Sequence, residues 1–172
     1  MHRNKGFSLI ELVVVIAILG IAAGLVVGSL NVVHVQNMRS CASEIDALLS
    51  KTKICAMSRA GNVYLVLRQT SDGVYADYYE GGVLRQTDKV GKSTVIVVWN
   101  DGTEHDLGDG PLCLTFDRGT GAFEPLSVSF GYAGLTYGGG GDYCDSVTVS
   151  SGGRSTRIEL TPVTGKHLVT AG

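Results

Sequence analysis

Lys5-Gly6-Phe7-Ser8-Leu9-Ile10-Glu11 runs directly into Leu12–Leu30, LVVVIAILGIAAGLVVGSL, 19 residues without a charge or a proline. About 20 apolar residues carry a helix across a bilayer, so this stretch reads as a membrane span. His2, Arg3 and Lys5 precede it, and the next charged residue after it is Arg39. That asymmetry places the short N-terminus in the cytoplasm and the remainder outside. A secretory signal also begins basic and then turns apolar, but its apolar region covers about 7 to 15 residues and ends in a small-residue cleavage site. No such site stands near Leu30.

Glu11 decides between a plain anchor and something more specific. A carboxylate entering a hydrocarbon segment costs about 2.5 to 3.5 kcal/mol on insertion scales and marks a functional position that needs a cationic partner. With Gly6-Phe7-Ser8-Leu9-Ile10-Glu11 intact, the N-terminus closely resembles the class III signal of type IV prepilins and type II secretion pseudopilins. The resemblance covers Lys5 to about Leu30. It implies that a prepilin peptidase cuts between Gly6 and Phe7 and methylates the new amine of Phe7. It also implies that Glu11 neutralises the Phe7 ammonium of a neighbouring subunit during assembly, each charge offsetting the other's burial cost. Partners follow from the same likeness: other pilins or pseudopilins, the peptidase, the inner or cytoplasmic membrane and an assembly platform. Gly20, Gly24 and Gly28 recur every fourth residue, which lets helix backbones approach closely.

Composition agrees with a chain of two characters. Charged residues are 17 % of 172, below the roughly 25 % of average soluble domains. With 14 basic and 16 acidic residues the net charge is −2, and loss of Arg3 and Lys5 with a leader makes it −4. No general basic field exists to gather nucleic acid. After Leu30, Val35, Met38, Cys41/Ala42, Ile45, Leu48/Leu49, Thr52 and Cys55/Ala56 repeat at three- and four-residue steps, an amphipathic continuation lying against a head. A helix from Phe7 to about Ser58 would be about 75 to 80 Å long. Arg59-Ala60-Gly61-Asn62 ends it.

Beyond Gly61 the period becomes two. Val63-Leu65-Leu67, Val74-Ala76-Tyr78, Leu112-Leu114-Phe116, Val128-Phe130-Tyr132, Val147-Val149 and Ile158-Leu160 predict antiparallel strands with one buried face, and Val95–Trp99 predicts a strand apolar on both faces. The expected fold is therefore α+β, a long N-terminal helix, membrane-spanning and then amphipathic, packed on an antiparallel β head. Residues 1–6 form a leader, 7–30 the transmembrane and assembly helix, 31–60 the amphipathic helix and 61–172 the head. The junction from Leu48 through Leu67, Ser127-Val128-Ser129-Phe130 with Gly134-Leu135-Thr136, and the segment from Val147 through Arg154 to Lys166 resemble the GspH/FimT group of minor pseudopilins. FimT-like members of that group bind DNA through basic residues of the C-terminal segment, for which Arg154, Arg157, Lys166 and His167 are the cations available here. The likeness implies a structural minor pilin or pseudopilin, with DNA capture for transformation as the alternative.

Other chemistry finds little footing. Cys41 and Cys55 are 14 residues apart on one helix, about 21 Å, too far to bridge. A Cys113–Cys144 disulfide across a shared sheet face is the pairing expected. There is no C-x-x-C, the four His are scattered, and the oxygen-rich run from Asn100 to Gly110 lacks the order of a calcium loop, so neither metal nor cofactor is expected. No G-x-S-x-G occurs, and Gly138–Gly141 lacks the Lys-Ser/Thr of a phosphate loop, so no catalysis is expected.

Overall fold

The computed structural model describes residues 9–171, with side chains for all of these except 23–33 and 171. Two units are distinguished, Met1–His34 and Val35–Gly172. Helix α1 (Leu9–Ser58) starts in the first and ends in the second.

Among the described side chains of the first unit, residues 9–22 are exposed. Leu12, Val13, Val14, Val15 and Ile16 are all exposed. At 100° per residue, these five consecutive side chains point in every direction around the axis. Among the described residues no helix is long and apolar enough to cross a membrane. The expected span Leu12–Leu30 falls in part on residues 23–30, whose side chains lie outside the described set.

The second unit is built on the predicted rhythm. Met38, Cys41, Ala42, Ile45, Leu49, Thr52 and Ala56 are buried, at three- and four-residue steps along one face of α1. Thr52 is admitted to that face because its hydroxyl donates to the Leu48 carbonyl at 2.7 Å. Gly61, at φ 106°, breaks the helix where a side chain would be strained.

Among the described residues nine strands follow in two antiparallel sheets. β1 (Val63–Thr70), β2 (Gly73–Glu80), β3 (Val83–Gly91) and β6 (Leu112–Thr115) form one, in the order β3-β2-β1-β6. β4 (Thr94–Trp99), β5 (Glu104–Asp106), β7 (Cys144–Ser151), β8 (Arg154–Thr161) and β9 (Lys166–Ala171) form the other, in the order β5-β4-β7-β8-β9. In the first sheet Leu65 pairs with Tyr78 and Leu67 with Ala76. In the second, Val95 and Val97 oppose Val149 and Val147, and Val147 in turn opposes Ile158. All of these are buried.

Contacts from α1 reach both sheets. On one side Lys51 donates to Gln86 and lies over the Tyr78 ring. On the other, Lys53 donates to the carbonyls of Thr164 and Gly165 at 2.8 and 3.2 Å. At Gly91 an added Cβ would meet the Cys41 side chain at 2.9 Å, so the helix passes too close to the sheet there for any larger residue.

Two expectations need correction. Val128-Phe130-Tyr132 is not a strand; it lies in helix α2 (Leu126–Ala133). The run LSVSFGYA alternates, but its buried residues are Leu126, Ser129 and Phe130, a helical spacing. Pro125 at φ −52° starts it and Gly134 at φ 66° stops it. The likeness of Ser127–Phe130 to part of a hairpin fails with it. Second, β1 has no solvent face: α2 covers the outer side of β1 and β6, which is why Tyr64 and Val66 are buried along with Leu65. β4, apolar on both faces, lies between β5 and β7, with Val95, Val97 and Trp99 buried and Ile96 and Val98 half-buried.

Candidate assembly site

Glu11 lies in the first turn of α1 as its acidic residue. A carboxylate there is favoured by the partial positive charge of the helix start. It is set among side chains that water solvates poorly: Leu9 is 82 % and Ile10 73 % exposed, and Leu12 follows at 56 %. The described start of this helix is therefore apolar and exposed, with one acid in its first turn. Gly20 has open space where its side chain would be, consistent with room for a close neighbour. Gly6 and Phe7 lie outside the described residues, as do the surroundings of Gly24 and Gly28. Residues 1–27 match the family model of the prokaryotic N-terminal methylation motif. The motif takes in Gly6, Phe7, Glu11, Gly20 and Gly24, and it supports a type IV pilin-like or pseudopilin class. No curated protein and no solved structure matches the chain.

The cations expected near DNA do not converge. Arg154 opens β8 beside the β7–β8 turn, opposite Ser151, whereas Lys166 pairs with Thr161 at the far end of the same strand. Seven residues at about 3.3 Å each separate these ends by about 23 Å. Arg157 and Glu159 are alternate exposed residues of β8, so a carboxylate stands between Arg157 and the Thr161–Lys166 pair on one face.

The expected Cys113–Cys144 disulfide is also corrected. All four cysteines are free, and the two in question sit on different sheets, Cys113 in β6 and Cys144 in β7. The Cys113 thiol donates to the Ser129 carbonyl at 3.0 Å, holding α2 to the sheet. Burial pushes the thiols of Cys41, Cys113 and Cys144 up to about 12 from 9.0, with the nearby Glu44 adding to the effect at Cys41. The folded protein therefore keeps protons that the unfolded chain releases above pH 9. The associated stability is present in full below that pH and is lost as pH climbs from 9 towards 12. Denaturation midpoints should accordingly fall steeply over that window and be indifferent to reductant at pH 7; a drop on adding reductant would contradict free thiols.

The oxygen-rich loop is occupied with its own backbone. Asp101 accepts from the Thr103 amide at 2.9 Å and Asp106 from the Gly108 amide at 2.7 Å. Among the described residues no group of three His, Cys, Asp or Glu side chains is placed to hold a metal.

One cluster escaped the sequence reading. His167 of β9 has Nε2 2.9 Å from the Ser50 hydroxyl and 3.7 Å from the Asp46 carboxylate, both on α1. The resemblance to a hydrolytic triad ends there, because hydroxyl and carboxylate meet the same ring nitrogen and no proton can be relayed through the ring. Its effect is to fasten the last strand to the helix. Ser50 and His167 stand 117 positions apart, so no local pattern announces the contact.

Proposed function

We propose that this chain is a minor pilin or pseudopilin, a non-enzymatic subunit most like the GspH/FimT group. In this reading a prepilin peptidase removes residues 1–6 and methylates Phe7. The subunit is held in the inner or cytoplasmic membrane by one helix, with its N-terminus cytoplasmic and its head periplasmic or extracellular. It is then drawn by an assembly platform into a filament of other pilins or pseudopilins. The observation that carries the reading is the acid at Glu11, within the methylation motif and among the exposed apolar side chains of residues 9–21 at the start of α1.

The energetic argument is direct. A fully buried Leu, Ile or Val side chain contributes about 1.5 to 3 kcal/mol relative to exposure, and Leu9 through Ile21 hold ten large aliphatic side chains left exposed. Such a helix does not stay in water. Full-length protein in cell membranes should resist extraction by alkaline carbonate and be released by detergent; release by carbonate alone would contradict a spanning helix. DNA capture finds no comparable support, given the scattered positions of Arg154, Arg157 and Lys166 on the head.

A further inference from the structure

Two adjoining clefts open on the head beside the segment from Leu107 to Pro111, with volumes of about 430 and 230 Å³, and Gly110 and Pro111 line both. The smaller is lined by Trp99, the only tryptophan of the chain, and by His105. The two rings stack with centroids 3.7 Å apart, and Tyr137 stacks on Trp99 at 5.4 Å. Trp99 is 5 % exposed. Its Nε1 and the Nε2 of His105 are both buried and without a hydrogen-bond partner. Folded proteins leave few buried polar atoms unpaired, and two on one cleft wall are accounted for by a group bound in that cleft.

The lining defines the chemistry of that group. An indole N–H only donates, so the occupant must offer an acceptor oxygen. Asp106 and Asp109 line the same cleft and oppose an anion. A cation would suit the carboxylates but leave the indole N–H unsatisfied. What remains is a neutral group that both accepts and donates, as sugar hydroxyls do. A cleft smaller than the roughly 300 to 1,000 Å³ of drug-sized pockets suits one sugar ring. The larger cleft continues the pattern, with Tyr79 stacked on Tyr64 at 4.8 Å and with Arg68 held by Asp77 at 2.6 Å on its wall.

We propose that the paired clefts bind a neutral disaccharide, one ring received by Trp99, His105 and Asp109 and the second lying towards Tyr79. Trp99 is its own reporter. Full-length protein in a detergent without sugar headgroups is titrated with cellobiose, maltose and N,N′-diacetylchitobiose while tryptophan emission is followed. At least one should produce a saturable change. His105→Phe, which keeps a stacked ring and removes the nitrogen, and Asp109→Ala, at an exposed position, should each weaken that binding about five- to tenfold, the effect of one lost hydrogen bond. Should His105→Phe not fold, Asp109→Ala decides. No saturable change with any of the three sugars overturns the proposal, as does wild-type affinity in the variants. Saturation by end-blocked triglycine in place of the sugars also overturns it and makes the clefts a peptide site.

Discussion

Replacing Glu11 by Ala should leave the protein in the membrane and remove it from filaments. The two effects have opposite signs. Insertion becomes easier, because the acid's cost of about 2.5 to 3.5 kcal/mol disappears. Assembly becomes harder, because an amine that packs among apolar helices loses its counter-charge. Removing one partner of a buried ion pair costs about 3 to 5 kcal/mol, a factor of about 150 to several thousand at each contact. Sheared filaments from cells carrying E11A should contain less than about 1 % of the wild-type amount by immunoblot, with membrane levels unchanged. Equal incorporation would mean that the acid takes no part in assembly. Glu11 sits at the start of a helix whose neighbours Leu9, Ile10 and Leu12 are all exposed, so the substitution removes no part of the head's core.

The largest effect on the head itself should come from Gly165→Ala. Gly165 has φ +59°, and a Cβ there would lie 1.8 Å from the Gly121 carbonyl oxygen and 3.1 Å from the Phe116 ring. The obstruction is backbone and cannot swing aside. Its amide donates to the Thr161 carbonyl at 2.9 Å, closing the β8–β9 turn, and its carbonyl accepts from Lys53 of α1. One methyl therefore disturbs the turn, the 117–122 loop and the helix contact together. Strain at positive φ and overpacking together should cost about 3 kcal/mol, lowering the melting midpoint by roughly 6 to 12 °C. Gly153→Ala separates the two causes. Gly153 also has positive φ, +77°, but nothing lies within 4 Å of its added Cβ, so about 1 kcal/mol is expected. Equal losses in the two variants would mean that the close approach at Gly121 contributes nothing.

These two positions mark what a linear reading reaches. Glu11 stood out because a charge interrupts an apolar run, a contrast visible within a few residues. The buried face of α1 was legible for a similar reason: Met38, Ala42, Ile45 and Leu49 repeat at the helical period. Strands β7 and β8 alternate because each has one buried face, whereas β1 is a nearly continuous apolar run because α2 covers its second face. β3 was missed because Val83 to Asp88 are exposed or nearly so on an edge strand, and no alternation survives without a core to enforce it. β9 is likewise an edge, with Leu168 51 % exposed. At α2 the sequence carries both periods at once, and the flanking Pro125 and Gly134 outweigh the alternation. The close approach at Gly165 and the assignment of Cys113 and Cys144 to separate sheets depend on partners far away in the chain.

The assembly account depends on Phe7 becoming the first residue of the working protein. Intact-mass and N-terminal peptide spectrometry of protein purified from its native membranes tests this most directly. The expected chain begins at Phe7 and carries one extra methyl group on its amine. A chain that keeps Met1 through Gly6, or one cut near Leu30, would contradict it.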